Sequence, residues 1–308
     1  MERLWASDGR NGIGEELSDA HTHMGTVKER QEREEAGIVS LVCLSTPEEA
    51  REAFSGKWTY LIPTCGVHPW HAHRQEVESL LEWMEQCPVI GEIGMDSVWC
   101  QVPLHTQRQV FEKQLALAGV WRKPVILHTK GREQAIARII RTYPNRYLVH
   151  WYSCQEHLED YLDLDCYFSI GPDVWWNEAV AQVVKKVPRH RLLVETDGLD
   201  SVRWAFEEGR RVLGKRGKDS LTAADPDGHL PPWDESAEEF WKNAGVLEAL
   251  TVTVEWAAKI LGMAAGEAGA MFKENLGMDP GRRRRAGLHE ENEIMMRKSP
   301  GNRTFLQK

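Results

Sequence analysis

The chain has 308 residues, of which 42% are hydrophobic and 28% charged, a composition typical of globular proteins with one or two domains. Its net charge of −9 and pI near 5.8 disfavour a protein that coats nucleic acid, but not an enzyme acting on nucleic-acid ends. The sequence contains no apolar run long enough for a membrane span and no apolar core of a secretion signal. Six cysteines without a Cys-x-x-Cys pair indicate buried thiols in a reducing cytosol, so we expect a cytoplasmic protein.

Short apolar segments recur along the first two thirds of the chain, each followed by a longer polar or amphipathic stretch. The segments are continuous apolar runs, which is typical of strands buried on both faces, as in parallel sheets. Eight strands are predicted, at about 18–23, 37–45, 60–67, 88–94, 124–128, 146–152, 166–171 and 191–196.

The stretches between these segments predict helices. Thr46 and Pro47 form a capping residue and a first-turn proline, and helical apolar spacings follow in 105–121 and 173–187. Strands that alternate with helices eight times predict an α/β protein, a (β/α)8 TIM barrel. An open doubly wound sheet is the alternative, disfavoured because no Gly-rich phosphate loop follows the first strand.

The alternation ends after the eighth strand. Residues 207–235 are rich in glycine, proline and charge, and predict an insertion at the barrel mouth; a helix is predicted at about 236–275. We therefore predict a single barrel domain over 1–280 and a polar, mobile tail over 281–308. The arginine run at 282–285 in this tail is interpreted as a solvated charge cluster rather than a nucleic-acid contact.

Histidines and acids stand at the ends of six predicted strands. In a parallel barrel all strands end on one face, where active sites are built. Alone, each histidine is more often a packing residue, and each acid a paired or capping residue. Without a metal, their convergence would leave a costly cluster of buried polar groups. The pattern therefore predicts a metal site formed by His21, His23, Glu92, His128, His150 and Asp197.

The same motifs resemble those of the TatD family of metal-dependent hydrolases, over roughly residues 18–200. They are Asp-x-His-x-His at 19–23, Gly-x-His-Pro at 66–69, Gly-Glu-x-Gly-x-Asp at 91–96 and Glu-Thr-Asp at 195–197. The resemblance implies two divalent ions, one bound by His21, His23 and Asp197, and one by His128 and His150, with Glu92 as the bridge. Nitrogen and carboxylate ligands without thiolates suit Zn²⁺, Mn²⁺ or Mg²⁺, and the sequence does not choose among them.

The resemblance also implies a mechanism. Two ions ~3.5–4 Å apart would polarise a phosphoryl oxygen and bind water as a nucleophilic hydroxide, while Asp197 accepts a proton from that water. Glu195 is placed either to orient a neighbouring ligand or to serve a structural role. Four further residues are predicted to bind substrate: His68, Lys130 and Arg132 through phosphate, and Trp151 by stacking on a base, as Trp70, Trp175 or Trp176 could also do.

Four residues in three of the motif regions depart from the family pattern. Gly198 and Leu199 follow Asp197 where a small residue and proline are usual, Cys154 replaces a common glycine, and Lys130 replaces a common arginine. These changes spare the predicted metal ligands and affect substrate placement.

The leading functional hypothesis is a metal-dependent deoxyribonuclease that acts on single-stranded DNA or 3′ ends. The second hypothesis is a hydrolase of small esters or amides with the same site, kept open by the acidic charge and the altered loops. The third, an interaction protein without turnover, is disfavoured because all six ligands are intact.

Overall fold

The structure, a computed structural model, describes residues 16–216 and 240–277. Within them eight strands form one sheet, every neighbouring pair is parallel, and the strands follow each other in chain order. The strands are β1 (Ser18–His23), β2 (Val39–Leu44), β3 (Leu61–Cys65), β4 (Val89–Gly94), β5 (Val125–His128), β6 (Tyr147–Val149), β7 (Tyr167–Ile170) and β8 (Leu192–Val194).

Helices connect successive strands and cover the outside of the sheet. Short 3-10 helices lie at Pro69–His71, Val77–Leu80 and Arg189–Arg191. In the part of the chain that the structure describes, no helix is both long and apolar enough to cross a membrane. The α-helices are α1 (Val27–Ala36), α2 (Pro47–Ser55), α3 (Leu81–Gln86), α4 (Leu104–Trp121), α5 (Glu133–Ile140), α6 (Leu158–Leu162), α7 (Glu178–Lys186), α8 (Leu199–Arg216), α9 (Val246–Leu261) and α10 (Ala265–Leu276).

The seam between β8 and β1 closes the sheet. The Asp197 N–H donates to the His21 carbonyl at 3.0 Å, and the Thr196 N–H donates to Asp19 Oδ1 at 3.0 Å. Because the strands keep their sequence order around the sheet, the open doubly wound alternative is excluded. The predicted (β/α)8 barrel is confirmed.

Apolar side chains fill the inside of the barrel, separately from the larger core between sheet and helices. Residues from seven strands contact one another, which side chains from so many strands can do only within the barrel. This filling leaves the open end for the polar residues that follow each strand. The cluster comprises Ala20, Val39, Leu41, Ile62, Val89, Ile126, Leu148, Leu193 and Leu276.

Every strand except β1 is shorter than predicted, and two of them show the physical reason. The segment predicted from residue 37 starts at Val39, because Gly37 ends α1 in a left-handed conformation with φ 70°. The segment predicted as 146–152 ends at Val149, and the residues after it leave the sheet, with Trp151 at a φ of 38°. His150 therefore lies directly beyond a strand end.

The first ten residues of the predicted insertion at 207–235 are helical, because α8 continues to Arg216. Gly209, which favoured a loop, lies within this helix where a Cβ atom would come within 2.2 Å of the Trp175 ring. Gly209 thus permits α8 to pack closely against the indole ring of Trp175. Residues 217–235 of the predicted insertion lie outside the described residues.

The helix predicted over 236–275 is divided: its described part contains a helical turn at 240–243, α9 and α10. Gly262 ends α9 with a φ of 65°, and its N–H donates to the Ala258 and Lys259 carbonyls. The predicted tail over 281–308, with its arginine run, lies outside the described residues.

Candidate metal centre

The central acid of the site, Glu92, lies on β4 between two glycines that allow close contact with β5. A Cβ atom on Gly94 would come within 2.0 Å of the His128 carbonyl oxygen, and one on Gly91 within 2.8 Å of Ile126. Both glycines also have φ values near +150°, which side chains disfavour. The Gly-Glu-x-Gly motif therefore brings a fully buried carboxylate against the end of the next strand.

Each oxygen of the Glu92 carboxylate faces different histidines. Oε1 lies 2.5 Å from His128 Nδ1 and 2.6 Å from His150 Nε2. Oε2 lies farther from three others, 3.4 Å from Nε2 of His21, 3.5 Å from that of His68 and 3.8 Å from that of His23. Glu92 thus stands between two sets of imidazoles.

Asp197, just beyond β8, faces the histidines of β1. Its Oδ1 lies 3.2 Å from His21 Nε2 and 3.3 Å from His23 Nε2, and its Oδ2 accepts from the Ser201 hydroxyl at 3.0 Å. The residue has a φ of 57°, a left-handed conformation that aspartate tolerates better than most residues and that recurs at functional sites. This turn aims the carboxylate at the pair of β1 histidines.

Several buried atoms at the centre have no hydrogen-bond partner: His21 Nε2, Glu92 Oε2 and Asp197 Oδ1. Unpaired buried polar atoms are destabilising, and these three face one another. A divalent cation would satisfy all of them, and the nitrogen and oxygen donors suit Zn²⁺, Mn²⁺ or Mg²⁺. The side chains here fit a metal site.

Among the described residues, three overlapping groups of side chains have ligand atoms close enough to share one ion. All six predicted ligands occur in these groups. His68, which was predicted to bind substrate, also occurs in one of them. The groups are His21 with His23 and Glu92; His21 with His150 and Asp197; and His68 with Glu92 and His128.

The charges at the centre favour cation binding. Burial alone would raise the pKa of Glu92, but His150 and the other imidazoles outweigh it and hold that pKa well below its usual range. Burial also opposes ionisation of Asp197, but His21 and His23, which face its carboxylate, hold its pKa well below the usual range. Both carboxylates are therefore anionic at neutral pH.

One acid orients the histidine of β5, and a second acid lies near the histidine that follows β6. Asp96 Oδ2 lies 3.1 Å from His128 Nε2, whereas Glu195 Oε1 and His150 Nδ1 are 3.5 Å apart and are both without a hydrogen-bond partner. A carboxylate that accepts the N–H of one ring nitrogen leaves the other nitrogen free to bind metal. His128 Nδ1 and His150 Nε2 thus remain as ligand atoms, both directed at Glu92.

Sequence reasoning assigned no role to Asp96, although it is the last residue of the Gly-Glu-x-Gly-x-Asp motif. Its Oδ1 accepts from the backbone N–H groups of Val98 and Trp99, and its Oδ2 from the indole of Trp70 at 2.7 Å. These bonds and His128 hold the Asp96 pKa below its usual range against the effect of burial.

Asp19 and Arg33 form a second buried cluster beneath the centre, which sequence reasoning also missed. Arg33 donates to Asp19 Oδ2 at 2.6 Å and also to the hydroxyls of Thr22, Ser40 and Thr196. Thr196 in turn donates twice to Asp19. The acid that opens the Asp-x-His-x-His motif thus joins β1 to β8 and stands outside the metal-ligating groups.

The predicted substrate residues differ in their surroundings. His68 lies at the centre, where its Nδ1 accepts from the Trp70 N–H at 3.2 Å. Lys130 donates to the Trp151 carbonyl at 3.0 Å and to Ser153 at 2.8 Å, and Arg132 has a buried Nε without a partner.

The Trp151 ring is only 5% exposed and donates to Asp173 at 2.7 Å. Trp175 is also buried, and Trp176 is half-buried with its indole bonded to the Ala205 carbonyl, whereas Trp70 is 46% exposed. Base stacking by these residues stays a prediction.

Several known proteins are similar to this chain in sequence. The family model for TatD related DNases matches residues 18–209. The uncharacterized metal-dependent hydrolase YabD of Bacillus subtilis (strain 168) is 27% identical over 202 residues, which cover 59% of this chain and 79% of the relative. The 3′-5′ ssDNA/RNA exonuclease TatD of Pantoea ananatis is 27% identical over 181 residues, covering 53% of this chain and 69% of the relative.

A solved structure shows the same fold. The crystal structure of YjjV, a TatD homolog from Escherichia coli K12, has a TM-score of 0.63 at 19% identity, over 84% of this chain and 96% of that chain. The family model covers more than half of the chain. The chain therefore belongs to the TatD family of metal-dependent hydrolases, enzymes that act on ester bonds.

Proposed function

We propose that this protein is a nuclease that hydrolyses phosphodiester bonds of single-stranded DNA at 3′ ends with two divalent metal ions. The observation that carries the proposal is Glu92, a buried carboxylate whose two oxygens face different sets of histidines. Such a carboxylate is suited to bridge two ions, one with His21, His23 and Asp197 and one with His128 and His150.

When bound there, the ions would supply Lewis-acid activation of a phosphoryl group and of water. Asp197 Oδ1 has no hydrogen bond, and the low pKa of this acid keeps it deprotonated, so it is able to take the proton of the attacking water. Ser201 holds the other oxygen of Asp197 in place. Asp197 and Glu92 are therefore the proposed catalytic residues.

His68 is proposed to donate to a phosphoryl oxygen. Because its Nδ1 accepts a backbone N–H, the neutral ring carries its proton on Nε2, the atom that faces the centre. Burial lowers the pKa of His68, which favours this neutral form.

Lys130 and Arg132 are proposed to bind the substrate backbone. Two of the three Lys130 N–H donors are used within the protein, which leaves one for a phosphate. The Arg132 Nε is without a partner. Trp151, which follows His150 and accepts a hydrogen bond from Lys130 at its carbonyl, is proposed to hold a base by its small exposed part.

The substrate class rests on relatives. The Pantoea ananatis protein is named a 3′-5′ ssDNA/RNA exonuclease, and a human relative that is 28% identical over 147 residues is named a 3′-5′ RNA nuclease. A small ester or amide is the second candidate, favoured by the net charge of −9, which repels nucleic acid. We place the protein in the cytosol, since all six cysteines are free thiols.

The test offers end-labelled single-stranded oligonucleotides to EDTA-treated protein, with Mg²⁺, Mn²⁺ or Zn²⁺ restored in turn. We expect stepwise shortening from the 3′ end, only with metal, and none with Asp197→Asn. Full activity after EDTA treatment would overturn the metal requirement. Turnover of a small ester or amide without cleavage of oligonucleotides would favour the second candidate.

A further inference from the structure

Two tryptophans at the barrel mouth, Trp99 and Trp204, form an exposed aromatic pair. Their ring centroids lie 5.9 Å apart at an interplanar angle of 88°, and the side chains are 56% and 40% exposed. Trp99 follows β4 and Trp204 belongs to α8. Large rings this exposed add little to the core, so their position needs another explanation.

The loop that carries Trp99 is held rigidly by hydrogen bonds. The Trp99 N–H donates to Asp96 Oδ1 at 2.9 Å, and the Gln107 side chain donates to the Asp96 carbonyl at 2.9 Å. Ser97 joins the loop to that after β5, through bonds to the carbonyls of Lys130 and Gly131. The exposed ring is thus presented by a fixed backbone and is not part of a loose loop.

The pair is connected to the metal centre on both sides. Asp96, which holds the Trp99 backbone, also faces His128 Nε2 at 3.1 Å. The Trp204 ring packs against that of Trp151 with centroids 6.0 Å apart, and Trp151 directly follows His150. A polymer with its reactive phosphate at the centre would therefore pass beside these rings.

The pair suits a nucleobase as its ligand. Trp151 is itself held by its hydrogen bond to Asp173, so Trp204 rests on a rigid support. Aromatic faces bind any base by stacking, without the positive surface charge that this acidic chain lacks. Lys130 and Arg132 lie on the neighbouring loop, where they would meet the phosphates on either side of a stacked base.

We propose that Trp99 and Trp204 form a base-stacking subsite that holds one unpaired nucleobase of the substrate strand near the scissile bond. This inference rests on the proposed nuclease function, and it assigns the selection of single strands to the two tryptophans. A base within a duplex has both faces covered by its neighbours, so the subsite accepts only an unstacked base.

The test scans one abasic nucleotide through the last four positions of a single-stranded decamer. With the wild-type protein, we expect kcat/KM to fall roughly 5- to 150-fold at one position, the range found for loss of one stacked base. Trp99→Ala and Trp204→Ala are expected to lower kcat/KM on the intact decamer by a similar factor through KM, and to lose that positional dependence. The conservative variant Trp99→Phe is expected to keep most of the wild-type kcat/KM and most of its dependence on the abasic position.

Phe54→Ala is the matched control, since Phe54 is a 38% exposed aromatic residue near the end of α2 and belongs neither to the tryptophan pair nor to the metal centre. It is expected to keep the full positional dependence. The subsite would be overturned if Trp99→Ala lost kcat/KM equally on the decamer and on bis(4-nitrophenyl) phosphate, a substrate without a base, and still responded to the abasic position. The subsite would also be overturned if Trp99→Ala cleaved the decamer with wild-type kinetics but had a changed sedimentation coefficient. That result would make the tryptophan pair a contact between copies of the protein.

The failure of this inference is distinguishable from failure of the nuclease proposal. If the wild-type protein cleaves the decamer without positional dependence, only the subsite is wrong. If it cleaves no oligonucleotide, the nuclease proposal fails, and fluorescence anisotropy of labelled (dT)10 still tests the pair. Equal affinity of the wild-type protein and Trp99→Ala for that probe would overturn the subsite, and a weaker affinity of the variant would support it.

Discussion

Two clusters of buried charged side chains each include residues of β1 and of the segment after β8, and they differ in how their atoms are paired. In the cluster around Asp19 and Arg33, both carboxylate oxygens accept hydrogen bonds and both terminal guanidinium nitrogens donate them. In the cluster around Glu92 and Asp197, one oxygen of each acid is buried without a hydrogen bond. The clusters are neighbours in the fold, but the carboxylate oxygens are fully hydrogen-bonded in the first and only partly in the second.

This difference in hydrogen bonding distinguishes a cluster that stabilises the fold from a cluster that binds a ligand. A buried ion pair with every lone pair bonded joins strands and needs no further ligand. Buried acid oxygens that face imidazoles without a hydrogen bond form a site that is suited to a cation. Substitutions in the two clusters should therefore affect different measurements.

The largest effect is expected for Glu92→Gln, because the variant loses the anionic oxygens that both sets of histidines share. A metal ion at such a site supplies several kcal/mol of transition-state stabilisation, so metal-dependent turnover should fall at least about 10³-fold. The circular dichroism spectrum should keep its native form. Turnover within tenfold of wild type would show that Glu92 is not a shared ligand.

Arg33→Met should act on stability instead. It leaves Asp19 buried without its cation, which costs roughly 3–5 kcal/mol of unfolding free energy. Urea unfolding followed by tryptophan fluorescence measures the loss. Adding Asp19→Asn removes the stranded charge and should recover part of the stability; if the double variant is less stable than Arg33→Met, the pairing explanation is wrong.

The contrast between the clusters also explains what the sequence predicted. The strands and the six proposed ligands were predictable because apolar runs mark buried strands and the polar residues stand directly at their ends. Arg33 was not, since it lies in a polar helix and its partner Thr196 is 163 residues away. A cluster made by such distant residues leaves no local pattern.

Local signals also misled in places. Gly209 and its charged neighbours favoured a loop, but the glycine accommodates the Trp175 ring within α8 and Arg211 pairs with Glu208 one turn earlier. Asp96 stood in a recognised motif, yet its bond to His128 depends on how the loop after β4 folds back. Packing between elements determined both outcomes.

Asp96→Asn tests an acid that shares features of both clusters. Both of its oxygens are hydrogen-bonded, as in the Asp19 cluster, but it orients His128, a proposed metal ligand. The variant presents an amide N–H₂ to His128 Nε2–H, which favours the tautomer with its proton on the metal-facing Nδ1. Metal affinity, measured by isothermal titration, should fall roughly 10- to 100-fold. Glu195→Gln is the matched variant at His150, and unchanged affinity in both would exclude this role.

The smallest effect concerns Asp173, a buried acid bonded to Trp151 and Asn177 but lacking an ion pair as close as that of Asp19. Burial raises its pKa to about 6. The folded state thus holds a proton that the unfolded chain, with an aspartate pKa of about 3.9, releases. Its contribution to stability is complete below about pH 4 and is lost as the pH rises through 6.

Between pH 5 and pH 7 this loss amounts to roughly 1 kcal/mol of unfolding free energy. Histidines titrate in the same range, so the wild-type profile alone does not isolate Asp173. The difference between wild type and Asp173→Asn does, because the amide cannot titrate and still accepts from Trp151. That difference should favour wild type at pH 5 and shrink by pH 7; a constant difference would mean that Asp173 is ionised throughout and belongs with the satisfied acids such as Asp19.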